Sequence, residues 1–411
     1  MDLTRRAFGL GTLGLALAAC GGTSSHSGGA PKPVTGLAQV RSGTARRVAL
    51  GGLSARELAD GQRAFGVDLL GKTCRAGQNT TISPASAALA LGLLTAAADK
   101  DAERRLSAML HLPRWSDDVV AAYAAQHQSL ASLRSQLQLS NRVYVSTGND
   151  PQKGCLDDWA TGFDAGLTQL DIASHAKEAT ARINSDVKGD TAGLIPKLFD
   201  EDIRSDTLAV LVNALHLKAD WLVPFEKEKT ENRTFTTDAG ASVAVPMMSG
   251  ASGSYRAAGG WQSVAMGYVG ARLEMVAVLA PKGSGCSGIT APLLTALSQG
   301  PSEAGTDVVL PKVDLAQKHE LLEVLAGLGL PVDGFYPGIA CNEITDVVQK
   351  VVLTVDEKGT EAAAATGITA TFTSAQYSPR TVVFDRPYLM LLQDTATGTP
   401  LFLSRVVDPR T

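Results

Sequence analysis

The sequence predicts an α+β fold in one large domain, and three observations carry that prediction. First, apolar and β-branched runs of strand length recur at Leu137–Val145, Leu208–Leu217 and Val351–Val355. Second, helical patterns stand before and between these runs without a regular strand–helix–strand alternation. Third, residues 48–411 contain neither an internal Gly/Pro/Ser-rich linker nor a repeat, while 45% of the chain is hydrophobic. Length alone would suggest two domains. The missing linker argues for one.

In chain order, Met1–Cys20 reads as a targeting segment. Thr4-Arg5-Arg6-Ala7-Phe8-Gly9-Leu10 resembles a twin-arginine export signal, and Leu17-Ala18-Ala19-Cys20 resembles a bacterial lipoprotein cleavage box. Cys20 is then the expected site of lipidation. A transmembrane helix is disfavoured, because the apolar run is about a dozen residues against the roughly 20 a span needs. Residues 21–47, rich in Gly, Ser, Thr and Pro, read as a flexible tether about 25–30 Å in average reach. The expected organisation is a signal peptide at 1–20, a tether at 21–47 and a folded domain at 48–411. The expected location is exported, lipid-anchored and extracytoplasmic.

The formal charge of −4 becomes about −5 once the signal is removed, which argues against a nucleic-acid partner. Besides Cys20 there are Cys74, Cys155, Cys286 and Cys341. Outside the cytoplasm they could form up to two disulfides in three connectivities, or remain free thiols. Their spacing fits no metal motif, and no cofactor is expected.

Ser54-Ala55-Arg56-Glu57 is a capping box, so a helix starts there. Ser83-Pro84-Ala85-Ser86 places an N-cap serine before a proline at the first helical position, and the all-round apolar run Ala85–Ala98 predicts a buried helix. Further helical patterns surround Trp159 and span Ala179–Lys188. Met266–Leu279, Thr306–Leu310, Tyr388–Gln393 and Leu401–Val406 read as strands, with Thr397-Gly398 as a hairpin turn between the last two.

The most informative stretch begins at Val351. After the strand to Val355, Asp356–Gly359 is a turn, and Ala362–Pro379 contains no charged residue. Ala362–Ala365 alone would suit a helical turn. Gly367 and the threonines at 366, 369, 371 and 373 suit a strand better. Read with period two, Thr360, Ala362, Ala364, Thr366, Ile368, Ala370 and Phe372 share one small or apolar face. An uncharged β-prone segment left exposed invites aggregation, which a strand formed only on demand would explain.

Glu357-Lys358-Gly359-Thr360-Glu361-Ala362-Ala363-Ala364-Ala365 resembles the reactive-loop hinge of the serpins in its inhibitory form. Asn79–Ser86, Asn213–Trp221, Phe225–Thr230, Leu310-Pro311-Lys312, Phe384-x-x-Pro387-Tyr388 and Leu401-Phe402 match that family in order, from about residue 50 to the end. The resemblance implies three β-sheets, about eight to nine helices and an exposed reactive loop at about 357–383. It implies a suicide substrate: a serine or cysteine protease attacks the loop, and the cleaved loop enters the central sheet and traps the acyl-enzyme. The partners implied are that protease and, through the lipid anchor, a membrane, with the inhibitor a monomer.

The resemblance also assigns sites. Ser83, Ser86 and Asn213 would form a polar cluster where the strands part, with Gln349 standing where many serpins carry a histidine that can charge. Trp221 and Lys312 would sit at the top of the sheet, with Lys312 pairing Glu357. Counting sixteen residues from Glu357 puts the reactive bond at Thr373-Ser374, whereas counting back from Phe384 puts it at Gln376-Tyr377. Thr373 after Phe372 suits an elastase- or subtilisin-like target, Phe372 or Tyr377 a chymotrypsin-like one, and Arg380 trypsin. Two rivals stand beside inhibition: a serpin-fold carrier or chaperone, and a serine hydrolase using Ser174-x-x-Lys177 or Ser185-x-x-Lys188. The hydrolase lacks its partner motifs. The carrier is opposed by the alanine run, since bulky, charged or proline residues would stall insertion.

Overall fold

A computed structural model of the chain describes residues 38–48, 51–133, 135–148, 151–191, 193, 195–284, 288–360 and 380–411, without the side chains of 139–141 and 213–214. The first half contains β1 (Ala38–Arg41), α1 (Ala55–Thr73), β2 (Thr80–Ile82), α2 (Pro84–Ala97), α3 (Lys100–Met109), α4 (Asp117–Ala131), β3 (Leu137–Ser146), α5 (Lys153–Gly162), β4 (Leu167–Leu170), α6 (Ile172–Asp190), β5 (Ala209–Leu217) and β6 (Ala219–Asp220). The second contains β7 (Glu231–Thr236), β8 (Ser242–Ala258), β9 (Trp261–Gly267), β10 (Leu273–Leu279), α7 (Ala291–Gln299), β11 (Glu303–Pro311), β12 (Val313–Glu320), α8 (Leu322–Ala326), β13 (Asp346–Val355), β14 (Gly359–Thr360), β15 (Thr381–Val383), β16 (Tyr388–Asp394) and β17 (Pro400–Val406). The class is α+β, as the sequence predicts.

Local sequence accounts for the helix starts. Ser54 caps α1 with the full reciprocal box to Glu57, and Ser83 caps α2 ahead of Pro84. Of the 14 residues in α2, 13 are buried, which follows from its lack of a polar face.

The strands form two sheets. The first runs β1-β4-β3-β5-β13, with β12 on the far side of β13 and the short β14 and β6 completing its upper end. The second runs β15-β11-β8-β9-β10-β16-β17-β2, with β7 beside β8. Three sheets were expected. Among the described residues the pairing is continuous across two, because the 17-residue β8 pairs with β7 over Ser242–Met247, with β11 over Met247–Tyr255 and with β9 over Ser254–Ala258. The run Met266–Leu279 is likewise not one strand. It is the end of β9 and all of β10, reversed at Gly270 and Ala271, both at positive φ.

The inner faces of the sheets pack on each other through Leu215, Leu217, Val351, Leu353 and Val355 from the first, with Met275, Leu310, Phe384 and Phe402 from the second. On the other face of the first sheet, α6 covers Tyr144, Val210, Val212 and Val348.

The ordered fold begins earlier than expected. Ala38–Arg41 pairs antiparallel with β4, so residues 38–46 are not tether. The Thr44 amide donates to Asp157, the Arg46 amide to Thr161, and the Arg46 guanidinium bonds Asp117 on α4 at 2.8 Å and Asp158 on α5 at 2.7 Å. Gly43 makes this possible, since a Cβ there would lie 2.1 Å from the Leu156 carbonyl carbon. Cys74, Cys155 and Cys341 are free thiols, the last two buried, so the two-disulfide alternative is not realised; Cys286 lies outside the described residues, as does Cys20.

Candidate functional site: a hinge above a parallel strand pair

At the centre of the first sheet, β5 and β13 run parallel and pair directly over six positions, from Asp346 opposite Val210 to Val351 opposite Leu215. Above Val351 the two strands stop pairing. There the chain leaving β13 turns back as β14, with Thr360 antiparallel to Val355 on one side and to Ala219 on the other. Gly359 and Thr360 therefore already lie between the top of β13 and the continuation of β5. The two central strands part like an opened zip, with the first two loop residues in the gap.

The turn is built by Asp356. Its side chain accepts from the amides of Lys358 (2.8 Å) and Gly359 (3.1 Å), and its own amide donates to the Gly359 carbonyl. Gly359 is required here by close approach: a Cβ would sit 2.1 Å from the Ala219 carbonyl oxygen. Trp221 closes the top. Its indole N–H donates to the Asp356 carbonyl at 2.9 Å, its amide donates to Lys358, and its ring stacks on Tyr268 at 4.3 Å. The Tyr268 hydroxyl in turn shares a 2.6 Å hydrogen bond with the Thr360 hydroxyl.

Glu357 points the other way. Lys312 bonds its carboxylate at 2.7 Å and the Thr230 hydroxyl donates to it at 2.8 Å, while the Phe225 amide donates to its carbonyl. Burial works to raise this carboxyl, but the Lys312 and Thr230 bonds outweigh it and hold the group below its ordinary value. Lys312 and Glu357, distant in sequence, are thus brought together beside the hinge.

A second polar group lies lower in the sheet. Gln349, on β13 opposite Asn213, accepts from the Ser83 amide at 2.9 Å and donates to the Ser83 carbonyl at 3.0 Å. Ser83 in turn caps α2 by accepting from the Ser86 amide. The Asn213 side chain falls outside the described residues, so Ser83, Ser86 and Gln349 are the members seen joined. Gln317 and His319 on β12 continue the seam onto the backbone of Asn79 and Thr81. His319 faces Gln349 in register, so a titratable group does stand here, on the neighbouring strand. Burial lowers its imidazole, partly offset by its bond to the Thr81 carbonyl. Just above the paired region, burial drives His216 on β5 down to about 4, and Lys218 acts in the same direction.

Sequence reading missed Thr230, Tyr268, Gln317 and His319. Only the turn-former Asp356 carried a local signal, because the others act through contacts between residues far apart in the chain. Glu361, Ala362, Ala363, Ala364, Ala365, Phe372, Thr373, Ser374, Gln376 and Tyr377 lie outside the described residues.

Among the reactive-bond alternatives, Arg380 falls within the described residues. Its carbonyl accepts from the Asp307 amide, its guanidinium bonds Glu303 at 2.7 Å, and the next residue enters β15 parallel to β11. Backbone and side chain thus tie Arg380 to β11 at the start of β15. The two Ser-x-x-Lys motifs both fall on α6, where Ser174, Lys177, Ser185 and Lys188 are all exposed to solvent.

A family model described as serpin (serine protease inhibitor) matches residues 60–409. Iripin-8 of Ixodes ricinus is 29% identical over 354 residues, covering 80% of this chain and 87% of that one. Human neuroserpin is 25% identical, covering 81% and 87%. Among solved structures, the thermophilic serpin tengpin in its native state superposes with a TM-score of 0.75 at 20% identity, covering 90% of this chain and all of that one. Thyroxine-binding globulin in complex with thyroxine superposes at 0.71 with 24% identity, covering 86% and 99%. The chain belongs to the serpin family.

Proposed function

We infer that this serpin is a suicide-substrate inhibitor of serine proteases. One observation carries the reading: Thr360 already pairs antiparallel with Val355 at the top of a central pair that is otherwise closed and parallel. Continued downward, that ladder becomes a new strand between β5 and β13. Parallel pairing is slightly the weaker kind, so one parallel ladder would give way to two antiparallel ones. The alanines that follow Glu361 offer little side chain to obstruct the passage.

The protease hydroxyl (or thiol) attacks the carbonyl carbon of the loop's reactive residue, the peptide C–N bond breaks, and the new amine leaves with the C-terminal segment. The hinge side, held to the protease by an ester or thioester, then enters the sheet and carries the protease along. Thr373-Ser374 is the reactive bond favoured by the count from Glu357, with an elastase-, subtilisin- or chymotrypsin-like target. The inhibitor acts as a monomer, held outside a bacterial membrane by lipid on Cys20, with residues 21–37 as a tether averaging roughly 20–25 Å.

The test is incubation of the full chain with elastase-, subtilisin-, chymotrypsin- and trypsin-like proteases, followed by a denaturing gel and mass spectrometry. A denaturant-resistant complex with release of a peptide starting at Ser374 is expected. Clean cleavage without complex from every protease overturns inhibition and leaves a carrier.

A further inference from the structure

The chain enters the fold at the pole opposite the hinge. Ala38 opposes Leu170 at the end of β4, and Leu170 opposes Ser146 at the end of β3. The Ser146 amide donates to the Leu208 carbonyl at 2.9 Å, just below β5. Ala38 is thus level with Leu208, whereas Thr360 at the hinge is level with Ala219. Those two levels are eleven residues apart along one chain, about 35 Å.

The insertion path ends at the same pole. Thr360 opposes Val355, so an inserted strand would set Thr369 against Asp346, which opposes Val210. Residue 371 would then be level with Ala38, and Thr373 would emerge about 7 Å beyond it. β4, β3 and β5 stand between β1 and the gap, so the inserted strand is four strand spacings from β1, about 19 Å. A protease esterified to Thr373 would arrive about 20 Å from Ala38, beside the root of the tether. A protease domain of about 240 residues has a radius of gyration near 18 Å, hence a width of about 45 Å. Residues 21–37 average roughly 20–25 Å but reach about 56–61 Å when extended.

We propose that lipid on Cys20 holds the domain with its reactive loop turned away from the membrane, and that residues 21–37 supply the slack that admits a trapped protease between domain and bilayer. This rests on the anchored, inhibitory reading above. With too little slack, insertion stalls against the membrane. Water then cleaves the acyl ester, releasing active protease and an inhibitor that ends in a carboxylate.

Two measurements on the lipidated chain, in vesicles of phosphatidylethanolamine and phosphatidylglycerol, test this. In the first, a dye is placed at Ser205→Cys or Leu222→Cys, exposed residues at the lower and upper poles, in a Cys74→Ser, Cys286→Ser background. Energy transfer to an acceptor lipid is expected to be at least twofold stronger from residue 205, and equal or reversed transfer overturns the orientation. In the second, residues 24–33 are deleted, which leaves seven tether residues with a reach of about 23–25 Å. With the protease trapped in the panel above, the fraction of cleaved chains that end in complex should fall at least threefold on vesicles. In lipid-free chains starting at residue 21, the same deletion should leave that fraction unchanged.

Equal fractions for both tethers on vesicles overturn the role of the slack. So does an equal loss in the lipid-free chains, because the deletion then acts on the fold. A chain expressed with its signal in a bacterium that carries no lipid on Cys20 refutes the anchored reading and this proposal with it. Cleavage without complex in the lipid-free parent refutes the inhibitory reading and the role of the slack, while energy transfer still decides the orientation.

Discussion

Replacing Gln349 by Met tests whether the seam between β13 and α2 is a structural tie. The two side chains are close in size, so the change leaves no large cavity. It removes both hydrogen bonds from a glutamine that is 2% exposed to a Ser83 that is fully buried. The Ser83 amide is then a buried donor without its partner, at a cost of about 1–3 kcal/mol. Its carbonyl keeps the helical bond from the Ala87 amide at 3.0 Å, so it loses about 0.5–1 kcal/mol. The expected loss is about 1.5–4 kcal/mol. It is read from the first unfolding transition in urea, with the slope unchanged so that stability and not compactness has altered. A loss below about 0.5 kcal/mol would refute the reasoning, because Ser83 must then find its partners elsewhere.

Other perturbations separate the remaining parts. A chain starting at residue 48 loses β1 and the Arg46 pairs and should melt about 2–5 °C below one starting at residue 37, with equal melting refuting the early start of the fold. The His216 imidazole is held near 4 against about 6.5 when unfolded, so the unfolded chain takes up the proton first. Stability from this group is complete above pH 6.5 and is lost on acidification, by about 2 kcal/mol between pH 7 and 5, with a shallower slope expected in His216→Gln. Glu357 has the opposite displacement: its contribution is complete above about pH 4.3 and falls away as pH drops towards its lowered folded value, and Lys312→Met should flatten that fall in an acid titration of stability. Ala364→Arg should turn the protein from inhibitor to substrate, while Ala363→Arg should keep most trapping; equal loss in both on a denaturing gel would sink the register used here.

Much of this was legible in the sequence because it is written locally. Capping serines with proline and glutamate mark α1 and α2, β-branched runs mark β3, β5 and β13, and Asp356 to Gly359 marks the reversal. The misread parts are those decided across the chain. Ala38–Arg41 looks like tether because a four-residue edge strand has almost no pattern of its own, and only β4 and the α4–α5 carboxylates make it ordered. Met266–Leu279 looks like one strand because Tyr268 and Val269 continue the apolar run past the point where Gly270 and Ala271 reverse it. Tyr268 and Gln317 act wholly through distant partners, and no spacing announces them.

The register at the hinge explains why the loop's two faces differ. Residues directly opposite in an antiparallel pair share a face. Thr360 opposes Val355, so continuing the ladder sets Ala362 against Leu353, Ala364 against Val351, Thr366 against Gln349 and Ile368 against Val347. Val351, Leu353 and Val355 point into the core between the sheets, which is already filled by Met275, Leu310 and Phe384. Only small side chains could enter there without forcing the sheets apart, and a charge would be stripped of water with no partner. The alternate residues oppose Thr354, Val352 and Lys350. The first of these, Glu361, would face Thr354, whose hydroxyl bonds Asp314 at the exposed surface, so its charge would stay in water. Gly367 would meet Val348, which packs in the cluster beneath α6. The period-two pattern would thus have a physical reading under the proposed insertion: the face of Ala362 and Ala364 would meet the core side of β13, and the face of Glu361 its solvent side.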